Sequence, residues 1–176
     1  MASKSTLLTP VLEEILIKEI GEANISSLRW SQNGPFQYSF NVNIEGKDER
    51  VEVNFTQIIE DIYRQFYFPP KYRNLTNIFN VGYDISGSEK QFAKTSAKTL
   101  LTILSTVVDI IKDFIKHRSI LDGLYIRPIE KETKNTNPQK SQLYKAFIKK
   151  QLEQIPNYSY DTYREGFILI KNKENG

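Results

Sequence analysis

Between Arg127 and Lys150 the sequence carries Arg127, Lys131, Lys134, Lys140, Lys145, Lys149 and Lys150 against Glu130 and Glu132, with Tyr144 and Phe147 interleaved. Cations spaced among aromatics suit a phosphate backbone and its bases, so Arg127, Lys140, Lys145 and Lys149 are candidate nucleic-acid contacts. A solvated helix face followed from a polar loop is the competing reading, and a formal net charge of only +3 favours it. Two carboxylate pairs, Glu13 with Glu14 and Glu130 with Glu132, have the type needed for acid–base work. Their spacing is ordinary for exposed elements, and no second acid is brought near either pair. His117 is the single histidine and there is no cysteine. Disulfides, thiolate zinc sites and cysteine nucleophiles are therefore excluded, and a Ser-His-Asp triad or His-rich metal site has too little to build on. No metal is expected. Flanked by Lys116 and Arg118, His117 reads as a cation in the last turn of a helix.

The elements that must position these residues follow from hydrophobic period. Thr9-Pro10 with Glu13 and Glu14 marks a helix start, and its apolar stripe runs through Ile15 and Leu16 to Gly21. Phe36, Tyr38, Phe40, Val42 and Ile44 then alternate with polar residues, a half-buried strand. Glu45 to Asp48 makes a turn, and Val51, Val53 and Phe55 form the return strand of a hairpin. Ile58, Ile59, Ile62, Tyr63 and Phe66 fit a short helix within 56–67 that Pro69-Pro70 ends, and the cluster Tyr63, Phe66, Tyr67, Phe68 and Tyr72 reads as core or a loop packed on it, with a ligand wall as the alternative. Ile78 to Ile85 alternates again. A long amphipathic helix runs from Ala93 through Leu100, Leu104, Val107, Ile111 and Phe114. A short strand at Leu124 to Arg127, a helix opening at Asn137-Pro138, and a hairpin over Tyr158 to Ile170 complete the order.

The expected class is α+β (mixed α/β): a mixed sheet with an antiparallel N-terminal hairpin and a β-α-β-α-β C-terminal half. The 176 residues, 39% hydrophobic and 26% charged, suit one domain over 1–176 with fraying ends at about 1–5 and 172–176. Twelve per cent aromatics and a small net charge argue against disorder. No apolar run of about 18 residues exists to span a membrane. The start, Met1 to Glu14, has acids where a signal peptide needs an apolar stretch, so secretion by that route is not expected.

This element order, with a tyrosine on the penultimate helix, resembles the GNAT family of N-acetyltransferases over roughly Thr9 to Lys171. Asn137 and Tyr144 keep that family's spacing on the helix, with Lys140 in a small-residue slot. The resemblance implies Tyr144 as the general acid that protonates the departing CoA thiolate. It also implies that backbone amides around Lys94, Thr95, Ser96 and Ala97 hold the pyrophosphate of acetyl-CoA or another acyl-CoA. Counting from Gln91, however, Lys94 and Ser96 stand where the family places glycine and a second small residue. Side chains there crowd the approach a cofactor needs.

A second, local resemblance joins Ile103–Ile115, Leu121–Ile126 and Ser141–Lys145 to a group of tailed-bacteriophage proteins. It implies a viral protein partner and a place in the virion or the host cytoplasm. Three readings follow. The favoured one is a phage-encoded, non-catalytic binding or structural protein, with virion association as one form of that role, on a degenerate acetyltransferase-like scaffold with no cofactor. The others are an acyl-CoA-dependent N-acyltransferase and an accessory protein that touches nucleic acid.

Overall fold

The computed structural model describes residues 25–85, 96–127 and 138–173. The expected helix at Thr9 to Gly21 lies outside them, as do Lys94, Thr95 and Asn137. Period-two alternation builds most of the sheet: β1 (Trp30–Gly34), β2 (Gln37–Ile44), β3 (Lys47–Gln57), β4 (Ile78–Ile85), β5 (Gly123–Ile126), β6 (Tyr158–Tyr163) and β7 (Gly166–Lys171). The strands lie in the order β1-β2-β3-β4-β5-β7-β6. Every neighbouring pair is antiparallel except β4 with β5, which run parallel. A parallel pair needs a crossover, and the long helix α2 (Ala97–Lys116) lies between these two strands in the chain. With α1 (Asp61–Tyr67) and α3 (Pro138–Glu153) the architecture is α+β.

The β2–β3 turn is tighter than the four residues expected. Only Glu45 and Gly46 separate the strands, both with positive φ (51° and 83°), the geometry whose twist matches a hairpin. In this register Phe40 faces Val51 and Tyr38 faces Val53. Those side chains, with Val42, Ile44, Phe55, Phe79, Val81, Tyr83 and Ile85, form one apolar sheet face, and α2 and α3 bury it. Leu100, Leu104, Val107, Ile111 and Phe114 come from α2, and Tyr144, Phe147, Ile148 and Leu152 from α3. Phe114 stacks on Phe55 with ring centres 3.8 Å apart.

The opposite face is covered differently. Ile58, Phe68, Ile78, Tyr125 and Ile168 make a small second core, with Tyr67, Tyr72 and Leu75 packed on it. Its cover is the segment 58–77, which contains α1 and one tight turn at Pro70–Tyr72. The Asp122 carboxylate ties the end of that segment to β5 by accepting from the Thr76 and Asn77 amides at 3.2 and 3.0 Å. Over β2 and β3 this face presents Asn41, Asn43, Glu52 and Asn54.

Three expectations are corrected. β1 has no alternating pattern and is held as an edge strand by pairing with β2 and by the Trp30 ring against Tyr38. Thr56 and Gln57 belong to β3, so α1 starts only at Asp61. Of the expected inward stripe Ile58 is buried, but Ile62, Tyr63 and Phe66 on α1, and Ile59 ahead of its N-cap, are all at least half exposed. Among the described residues, no helix is long and apolar enough to cross a membrane.

Candidate functional site

The N-terminus of α2 and the middle of α3 are where acyl-CoA chemistry would be sited. Ser96 is the N-cap of α2, and its side-chain oxygen accepts from the Thr99 amide at 3.1 Å. One of the amides a pyrophosphate would need is thus already satisfied by the chain itself. Ala97 opens the helix behind it. On α3, Tyr144 is buried to 5% exposure, packed edge-on against Phe167. Its hydroxyl is hydrogen-bonded to that of Tyr83, on the stretch of β4 that extends beyond the β5 pairing. A proton donor for a thiolate must face the leaving group; this hydroxyl faces another phenol inside the core. Of the residues expected to hold the cofactor, only Ser96 and Ala97 lie among the described residues, and the Tyr144 hydroxyl is engaged by a neighbouring phenol.

Other phenols on the same face are shifted away from base chemistry. Burial, then the charge and hydrogen bond of Asp113, push Tyr38 up to about 12. Burial, with the charges of Glu153 and Asp161, pushes Tyr160 up to about 12 as well. At neutral pH these tyrosines are un-ionised and act as packing and hydrogen-bonding groups.

The candidate nucleic-acid contacts are not gathered into one surface. Lys145 and Lys149 are exposed on α3, and Lys149 lies 3.8 Å from Glu153. Lys140 lies in the first turn of α3. Arg127 follows β5 and runs along Gly82, on the sheet face opposite the helices. The sheet therefore separates Arg127 from Lys145 and Lys149, while Lys131 and Lys134 lie outside the described residues. His117 stands at the end of α2 as expected: it is the C-cap, with its Nδ1 2.9 Å from the Asp113 carbonyl oxygen. Among the described residues, no group of three His, Cys, Asp or Glu could hold a metal ion.

Arginines that the sequence reading did not single out join its aromatic cluster on the far face, around α1 and the β6–β7 turn. The Arg164 guanidinium sits 5.2 Å from the Phe66 ring centre and 5.3 Å from that of Tyr163. Hydrogen bonding and charge from Arg164, joined by Arg73, hold the Tyr163 phenol below its ordinary value. Nε of Arg64 and Nε of Arg73 are buried without a hydrogen-bond partner. Lys71 bridges to Asp161 at 3.2 Å, and Tyr72 donates to the same carboxylate. The signal was present as the 59, 62, 63, 66 spacing, but period alone does not say which side of a helix the sheet takes.

No family model, curated protein or solved structure matches the chain. The geometry of its own residues carries the functional reading.

Proposed function

We propose that this chain is a non-catalytic binding or structural protein on an acetyltransferase-like scaffold, encoded by a tailed phage and working with a viral protein partner. One observation carries the reading: the hydroxyl of Tyr144, the only general acid the resemblance supplies, is bonded to Tyr83 within the core. The Ser96 cap on α2 supports it from the cofactor side, because it occupies an amide that a pyrophosphate would use. The scaffold half of the reading draws on the element order, with the long helix between parallel β4 and β5 and a final β6–β7 hairpin.

Isothermal titration of the full chain with acetyl-CoA tests the proposal. The expected result is no saturable heat. Micromolar or tighter binding would overturn it and restore the acyltransferase reading. In that event Tyr144→Phe should abolish turnover. Mass spectrometry of purified phage particles tests the structural role, which predicts the chain among the virion proteins.

A further inference from the structure

The outer ridge of α1 is an apolar surface on a segment that cannot turn it inward. Ile62, Tyr63 and Phe66 share one face of α1 and are 69, 52 and 50% exposed, and Ile59, in the extended residues just ahead of the N-cap, is 69% exposed. The other side of the same segment is pinned: Phe68 is fully buried, and Ile58 is buried in the same small core. Rotating α1 to hide the ridge would expose those anchors. Four such side chains together leave roughly 400 Å² of apolar surface, the size at which a patch on a monomer usually has a use.

The charges around the ridge say what covers it. The segment 58–77 and the turn 161–166 hold Arg64, Lys71, Arg73 and Arg164 against Glu60, Asp61, Asp161 and Glu165. This balance of four against four gives no net attraction for a polyanion. What the strip does have is polarity along its length. Glu60 and Asp61 stand at the N-terminal end beside Ile59 and Ile62, and Arg164 stands over Phe66 at the C-terminal end. Among the described residues, neither acid nor Arg164 is in an ion pair.

We infer that this ridge is a self-association surface, on which α1 packs antiparallel against α1 of a second copy of this chain. A two-fold axis near Ile62 and Tyr63 sets the acidic end of one copy, Glu60 and Asp61, against Arg164 of the other. The two ridges together hide roughly 800 Å², below the roughly 1,200 Å² of a stable specific interface, so the association is a weak, concentration-dependent one. The inference does not require the acyl-CoA site to be lost. Acetyl-CoA binding would therefore overturn the proposed function and leave this surface standing.

Sedimentation velocity of the full chain over a concentration series tests it. The expected result is reversible formation of a species of twice the chain mass, with Ile62→Asp weakening association roughly tenfold or more. Since Ile62 is exposed, its thermal unfolding should be unchanged. The charge pattern is tested separately: Glu60→Arg and Arg164→Glu should each weaken the dimer, and the double variant should recover it. A wild-type chain that stays monomeric, or a dimer indifferent to Ile62→Asp, overturns the inference. So would a monomer that shifts a single-stranded oligonucleotide through this ridge, or one that binds an acidic peptide there.

Discussion

The two faces of the sheet are closed by different means. The helix-covered face is buried by twenty residues of α2 and sixteen of α3, and its rings and aliphatic side chains interlock across β2, β3, β4, β5 and β7. The opposite face has a small core under one tethered segment, and its remainder is polar or lined with arginine and tyrosine. The contrast teaches where stability and recognition can reside in one chain. A face sealed by long helices has little left to offer a partner, whereas a face closed by a seven-residue helix must leave that helix's outer side in water.

The largest expected effect lies on the sealed face. Phe114→Ala removes a ring stacked on Phe55 and edge-on to Phe79, and should cost about 3–5 kcal/mol in urea unfolding. A loss below about 1 kcal/mol would mean that this face is not the main core. Gly166→Ala comes next, on the other face. A Cβ at Gly166 would overlap the Tyr125 ring, whose hydroxyl is held by the carbonyls of Tyr163 and Arg164 at 3.2 Å each. The ring cannot move away without breaking those bonds, so the expected cost is about 1–3 kcal/mol.

Phe68→Ala should cost only about 2 kcal/mol in the global transition, because segment 58–77 detaches before the rest unfolds. Hydrogen exchange should show this as faster exchange confined to that segment. A global loss equal to that of Phe114→Ala would erase the distinction between the faces. The Tyr83–Tyr144 bond is worth less. A double-mutant cycle with Tyr83→Phe and Tyr144→Phe should give a coupling of about 1 kcal/mol, and a coupling near zero would remove the pair from the argument.

The smallest effect is a pH dependence. An unfolded tyrosine ionises near ~10, whereas Tyr38 in the fold is held up to about 12 by burial and by Asp113. Above the lower value the unfolded chain releases a proton that the folded chain keeps. The stabilisation is thus whole below pH ~10 and drains away as the pH climbs toward 12. Tyr38→Phe should make that decline shallower. Tyr160, shifted the same way, should leave a residual slope. An unchanged slope in Tyr38→Phe would show that the phenol is not the group responsible.

Much of the architecture was legible because alternation and the 3.6-residue period are local properties. Ile78 to Ile85 matches β4 residue for residue, and the stripe from Leu100 to Phe114 is the buried side of α2. β1 was not legible, since Trp30 to Gly34 gains its strand character from β2 alone. The site was less legible still. Tyr144 could be picked out along the chain, but its bond to Tyr83 joins residues 61 positions apart. Arg73 and Arg164 carry no sequence pattern, and only the β6–β7 turn meeting segment 58–77 assembles them around Tyr163.

By itself, the order of amino acids determined the α+β class, the absence of thiol chemistry, the hairpins, and both long helices. Each of these depends on neighbours within a turn or a strand length. The tertiary structure alone decided that α1 turns its apolar ridge to solvent, that Arg127 lies across the sheet from Lys145 and Lys149, and that the tyrosine on α3 is bonded within the core. Those outcomes depend on which surfaces win the competition for a sheet of finite width. α2 and α3 fill one face, and Phe68 claims the space on the other that α1 would otherwise have used.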